Sequence, residues 1–90
     1  MTWNDLPGGD LVREGLEDLR NGRETAPALL VAIGAPRLRR LGIVVPESVE
    51  DPEHRLYALL VRIEGDAAHS RFNALIRRLV SFERAAESAA

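Results

Sequence analysis

The sequence of 90 residues predicts a small all-α protein, one domain over residues 1–90 built as a bundle of four to five helices. Apolar residues recur at helical spacing, and Gly, Pro, Thr and Asp stand where helices begin and end. Residues 26–35 have no polar side chain, which is typical of a buried helix. An α+β fold with short strands at 29–33 and 42–45 stays open, because a short apolar run does not distinguish a buried strand from a buried helix.

The first helix is predicted after an irregular lead-in at residues 1–9, and whether Trp3 in this lead-in docks on the bundle stays open. Asp10 is placed to cap the helix, which runs to Asn21 and stops at Gly22. Its apolar side chains fall on one side of the helical wheel and its acidic ones on the other. This pattern is that of an amphipathic helix with one buried face.

The second helix is predicted over Ala26–Ala35. Thr25 is a suitable N-cap, and Pro27 lies in the first turn, where its missing N–H costs nothing. Gly34 and Pro36 are expected to end the helix. A separate short helical turn should follow at residues 37–41, before an extended stretch at 43–46.

The last two helices are predicted over residues 52–64 and 67–86. Asp51 followed by Pro52 is a strong start signal, and Gly65 ends the third helix just before the fourth begins. The short link makes these two helices an antiparallel pair, and residues 87–90 are expected to fray.

Composition excludes several classes of protein. There is no Cys, so we expect no disulfide framework, no thiol nucleophile and no Cys-based zinc site. The formal net charge is −2, and all twelve basic residues are Arg, which we attribute to a GC-rich, bacterial genome. No signal peptide is recognisable, and the longest uncharged stretch is shorter than the ~20 residues of a membrane helix. We therefore expect a cytoplasmic protein.

Catalytic and metal chemistry has little support. His54 and His69 lie in different predicted helices and belong to no ligand cluster, so we expect no metal and no cofactor. The serines lack the context of a nucleophile. Glu83 falls near the centre of the last helix's apolar face, where a carboxylate needs an Arg partner or a raised pKa. The favoured interpretation places Glu83 in water beyond the core, with no enzyme activity; a buried Glu83 lining a pocket would favour a small enzyme.

Nucleic-acid binding is the alternative function. Residues 29–43 can be interpreted as a helix, a turn at Gly34 and a second helix that carries Arg37, Arg39 and Arg40. This second helix is short for the major groove, and its arginines could instead pair with nearby acidic residues. We therefore keep a DNA-associated regulator as the alternative.

The leading hypothesis is a non-catalytic interaction module that self-associates through the last two helices or binds another protein. The helix starting at Pro52 is apolar over about 200° of arc, wider than the stripe of a surface helix. Arginines on the shoulders of the last helix either pair within the bundle or form a rim around a contact with a second chain. The predicted interface consists of five apolar residues and two arginines, namely Leu59, Ile63, Phe72, Leu79, Phe82, Arg71 and Arg78.

Overall fold

The computed structural model describes residues 5–47 and 49–89, and these residues form four α-helices and a short 3-10 turn. The elements are α1 (Gly9–Arg20), α2 (Ala26–Arg40), α3 (Pro52–Glu64), the 3-10 turn (Gly65–Ala67) and α4 (Ala68–Ala89). The predicted all-α class is confirmed. The alternative strands are wrong: residues 29–33 lie in α2, and residues 42–45 form a turn and irregular backbone. Trp3, whose docking on the bundle was left open, lies outside the described residues.

The predicted four to five helices are too many when uninterrupted helical segments are counted. Because α3, the 3-10 turn and α4 follow one another with no non-helical residue between them, the described residues form three uninterrupted helical segments. The short helical turn predicted at residues 37–41 is not separate either, since residues 37–40 are the last turn of α2. The last segment bends at Gly65, whose φ of +59° disfavours other residue types.

Helix α2 continues through both residues that were expected to end it. Gly34 and Pro36 lie inside the helix, although Pro36 removes one backbone hydrogen bond. The reason is tertiary packing: Ala35 and Leu38, on either side of Pro36, are both in the hydrophobic core. Gly34 serves instead as a contact point, because a Cβ there would lie 3.0 Å from the Leu79 side chain of α4.

Helix α2 is the centre of the structure. It packs against α1, α3 and α4, which accounts for the absence of polar side chains at residues 26–35. Six of its residues are almost completely buried, namely Ala28, Leu29, Leu30, Val31, Ala35 and Leu38. The other helices contribute core residues from one face each: Leu11, Val12 and Leu16 from α1, Leu56 and Leu60 from α3, and Leu75, Leu79 and Phe82 from α4.

The contact between α1 and α2 depends on Gly15. A Cβ at this position would lie 2.3 Å from the carbonyl oxygen of Pro27 and 2.5 Å from the Val31 side chain. The two helices therefore approach more closely than any residue with a side chain allows. With the five-residue connection between them, this contact makes α1 and α2 an antiparallel pair.

The connection between α1 and α2 is fixed by hydrogen bonds. Gly22 follows the end of α1 with φ of +71°, and the Arg23 N–H donates to the Asp18 carbonyl at 2.8 Å, which completes a Schellman motif. The Thr25 hydroxyl donates to the Asp18 carboxylate at 2.6 Å and accepts from the Ala28 N–H at 3.2 Å. The predictions of Gly22 as the stop and Thr25 as the N-cap are confirmed.

One predicted helix cap, Asp10, is wrong, and another, Asp51, occupies the N-cap position without the hydrogen bond of a cap. Helix α1 begins one residue before Asp10, and its N-cap is Gly8, in the left-handed region with φ of +74°. A Cβ on Gly8 would lie 2.7 Å from the Arg78 carbonyl oxygen of α4, so the close approach of α4 explains why this turn contains glycine. Asp51 precedes α3 as predicted, but its φ is +47° and its side chain forms no cap hydrogen bond.

Helices α3 and α4 are anchored by arginines. Arg55 donates to the Glu24 carboxylate and the Glu50 carbonyl, each at 2.9 Å, and so ties the start of α3 to the connection between α1 and α2. Helix α4 extends to Ala89, three residues beyond its predicted end. The physical reason is the hydrogen bond from Arg37 to Glu87 at 2.8 Å, which holds the last turn of α4 on α2.

Candidate interaction surface

Helices α3 and α4 form a helical hairpin around the turn at Gly65–Ala67. Tyr57 of α3 lies edge-on to Phe72 of α4, with ring centroids 5.7 Å apart, and also faces His69 at 6.5 Å. Leu56 and Leu60 of α3 are buried in the core. The edge-to-face aromatic contact fixes the register of the two helices.

The tip of this hairpin, residues 61–67, has no buried residue. Two of its side chains are large and apolar: Val61 is 48% exposed and Ile63 is 64% exposed. Residues two apart on a helix point in nearly opposite directions, so apolar surface is present on both flanks of α3. One flank continues from Val61 to Tyr57, and the other continues from Ile63 to the half-buried Leu59.

The five apolar residues predicted for the interface fall into two groups. Ile63 is exposed, and Leu59 and Phe72 are half-buried at the edge of the core. Leu79 is 4% exposed and Phe82 is fully buried within the core. Leu79 and Phe82 therefore face α2 and the rest of the core, not a surface that a second chain could cover.

The two arginines predicted to flank the interface also differ. Arg78 donates to the Asp10 carboxylate of α1 at 3.1 Å, so it pairs within the bundle. Arg71 is exposed and lies in the first turns of α4, close in sequence to the tip. Internal pairing is therefore observed for Arg78, whereas a surface rim at Arg71 stays a prediction.

The segment suggested for DNA binding does not form a helix-turn-helix, since residues 29–40 belong to one helix. Arg37 contacts Glu83 and Glu87 of α4. Arg39 donates to the carbonyl oxygens of Val45 and Pro46 at 3.2 and 3.0 Å, which places the following connection against α2. Arg40 is exposed. The three arginines therefore do not form a continuous free row.

Glu83 is 5% exposed, so its favoured placement in water is wrong. It lies between α4 and α2, where its Oε1 is 3.8 Å from Nη1 of Arg37. Burial raises the pKa of Glu83, while the guanidinium groups of Arg37 and Arg40 act in the opposite direction. An open depression of about 390 Å³ lies nearby, lined by Arg37, Arg84, Glu87 and Ser88, without Glu83 among its lining residues. Glu83 is therefore buried, contrary to the favoured interpretation, and this depression is not lined by it.

Sequence reasoning missed Tyr57 and Val61 as surface residues. Tyr57 and Phe72 lie eight and seven residues from Gly65, so an antiparallel link at Gly65 brings them opposite each other. Their nearly equal distance from Gly65 was the sequence signal that could have predicted this contact. Val44, in the connection before α3, is also largely exposed. No sequence signal predicts this exposure, because it depends on the path of an irregular segment.

The fold and the surface define this chain as an all-helical protein with an exposed apolar helical hairpin. Within the part of the chain that the structure describes, no helix could cross a membrane, and no three potential ligands among His, Asp and Glu lie close enough to hold a metal ion. No protein-family model, curated protein or solved structure gives a significant match to the chain.

Proposed function

We propose that this protein is a non-catalytic interaction module of the bacterial cytoplasm that self-associates through the α3–α4 hairpin. The observation that carries the proposal is the exposure of Ile63 and Val61 at a hairpin tip without buried residues. Complete burial of a side chain of this size contributes roughly 1.5–3 kcal/mol. A surface that places two such side chains in water at the end of a helix pair gains free energy when another apolar surface covers it.

The charges around the tip favour a second copy of the same chain as the partner. Exposed side chains of both signs lie along it, namely Arg62, Glu64, Asp66 and Arg71. In a twofold contact, a residue of one chain meets a different residue of the second chain, and the same pair is repeated with the two chains exchanged. Two positive and two negative side chains therefore offer opposite partners to each other, whereas a surface of one sign would repel its copy.

The size of the required interface shows which residues must take part. A stable protein interface buries about 800 Å² on each partner, about one-seventh of the 5491 Å² accessible surface of this chain. The seven residues of the tip are fewer than the roughly 20–30 residues that each partner contributes to such an interface, so we expect the half-buried Leu59 and Phe72 to lie at the edge of the contact. Arg71 is in a position to orient the partner, and Arg78 is excluded because Asp10 already holds it.

The test is the solution mass of the full chain by light scattering, over a range of concentrations and at low and high salt. We expect a dimer at both salts, because apolar contacts are not screened. Ile63→Asp should give a monomer with an unchanged helical circular dichroism spectrum, since Ile63 contributes little to the core. Val44→Asp is the matched control: Val44 is 80% exposed but lies outside the hairpin, so this variant should remain dimeric.

Two results would contradict the proposal. One is a wild-type chain that is monomeric at every concentration. The other is a dimer that dissociates in Val44→Asp but not in Ile63→Asp, which would place the contact elsewhere. Val61→Asp adds detail: if it remains dimeric while Ile63→Asp does not, the contact uses the Leu59 and Ile63 flank of α3.

A further inference from the structure

The strongest feature outside the hairpin is the buried carboxylate of Glu83 at the contact of α2 and α4. Three groups surround it. Arg37 and Arg40 approach from α2, and Glu87 lies one turn further along α4. The other ion pair of α4, between Arg78 and Asp10, lies more than one turn before Glu83, and the contact with Tyr57 of α3 is at the opposite end of the helix.

The Arg37 side chain contacts two carboxylates, those of Glu83 and Glu87. It donates a hydrogen bond of 2.8 Å to Glu87, whereas its nearest approach to Glu83 is 3.8 Å, too long for a hydrogen bond. The side chain of Glu87 is 64% exposed and that of Glu83 is 6% exposed. The stronger contact of the arginine thus goes to the carboxylate that water already solvates.

Gly34 excludes water from the other side of Glu83. The Glu83 Oε2 lies 3.2 Å from the position a Cβ on Gly34 would occupy, so α2 approaches the carboxylate directly. A buried ionised carboxylate with one loose ion pair is unfavourable, because its lost hydration is incompletely replaced. The neutral acid has a smaller cost, because it carries no charge that must be desolvated.

We propose that Glu83 and Arg37 form a proton-sensitive latch between α2 and the C-terminal turns of α4. When Glu83 is protonated, these turns stay docked on α2. When Glu83 is ionised, its charge favours water, and the end of α4 from Glu83 to Ala89 separates from α2 more often. The hairpin tip is at the other end of α4, so the latch does not depend on self-association.

The direction of the pH dependence follows from the burial of Glu83. Burial raises the pKa of Glu83 in the folded protein above that of an unfolded chain. Its contribution to stability is therefore complete below the ordinary glutamate pKa of about 4.3 and is lost as the pH rises through the raised value.

The test uses amide hydrogen exchange of the full chain between pH 4.5 and pH 7.5, expressed as protection factors for the last two turns of α4. In the wild type, we expect protection to fall several-fold as the pH rises. In Glu83→Gln, which keeps the shape and removes the charge, protection should stay nearly constant and exceed that of the wild type at pH 7.5. The matched control, Glu87→Gln, should lower protection but keep the wild-type fall with pH.

The proposal is overturned if Glu83→Gln retains the wild-type pH dependence, or if it is less protected than the wild type at pH 7.5. The second result would mean that the ionised carboxylate holds α4 in place through Arg37. An NMR titration of the Glu83 side-chain carboxyl in the wild type needs no variant. A pKa within the ordinary glutamate range would also overturn the proposal, even if Glu83→Gln failed to fold.

Discussion

The α1–α2 pair and the α3–α4 hairpin are both antiparallel pairs of helices with a short connection, yet the fold uses them differently. The first pair is joined through Gly15, its connection is hydrogen-bonded by Asp18 and Thr25, and α2 is buried on several sides. The second pair uses one side for the core and leaves residues 61–67 exposed. The comparison indicates that the first pair determines stability, while the tip of the second is available for contact.

The largest expected effect comes from removing a core side chain of α2. Leu30 is fully buried, so Leu30→Ala removes apolar contacts and leaves a cavity. We expect a loss of about 2–5 kcal/mol in the free energy of unfolding, measured by urea denaturation with far-ultraviolet circular dichroism. A loss below about 1 kcal/mol would mean that the neighbouring helices close the cavity and that α2 is less tightly held than its burial indicates.

A single methyl group added at Gly15 should destabilise the contact between α1 and α2 more selectively than the core substitution does. In Gly15→Ala, the new Cβ meets backbone of α2 at Pro27, which cannot move aside as a side chain can. Although alanine favours helix over glycine, we expect a net loss of about 1–3 kcal/mol from overpacking. Glu14→Ala is the control, because Glu14 is exposed on the same helix. If Gly15→Ala were as stable as Glu14→Ala, the close approach of α1 and α2 would not be required.

The connection between α1 and α2 offers a smaller test. Thr25→Ala removes the N-cap of α2 and the hydroxyl that donates to the Asp18 carboxylate. We expect a loss of about 1–2 kcal/mol by the same denaturation experiment. Thr25→Ser keeps both hydrogen bonds and serves as the control. Equal losses in both variants would attribute the effect to the missing methyl group, not to the cap.

The smallest effect is expected at the hairpin tip. Ile63→Ala is close in chemistry to Leu30→Ala, but it removes a side chain that is 64% exposed. Measured at a concentration where the chain is monomeric, the free energy of unfolding should change by no more than about 0.5 kcal/mol. A loss close to that of Leu30→Ala would show that the tip is part of the core and would remove the contrast between the two pairs.

The sequence predicted the ends of helices well where the signal was local. Thr25, Gly22 and Pro52 mark helix boundaries because their hydrogen bonds and backbone angles involve residues only a few positions away. The same local rules failed at Gly34 and Pro36. There, helix continuation is decided by the packing of Leu38 and Leu79, which lie on different helices.

The candidate surface was predictable only in part. Helical spacing identified apolar faces on α3 and α4, and it placed Ile63, Leu79 and Phe82 on them equally. Spacing alone does not show where along a helix the core ends. The structure sets that limit through neighbouring elements: α2 lies against Leu79 and Glu83, the turn at Gly8 lies against Phe82, and Ile63 is left exposed. Whether a residue on an apolar face is buried therefore depended on the position of a neighbouring helix.

The central position of α2 has a consequence for the order of folding. The α1–α2 pair is joined by contacts between residues close in sequence, so its loop-closure cost is small and it can form early. Helix α4 meets α2 across a separation of about fifty residues, as between Arg37 and Glu87. We therefore expect the transition state for folding to contain an α1–α2 nucleus, onto which the other two helices condense afterwards. Variants of α2 should slow folding, whereas variants near the end of α4 should mainly accelerate unfolding.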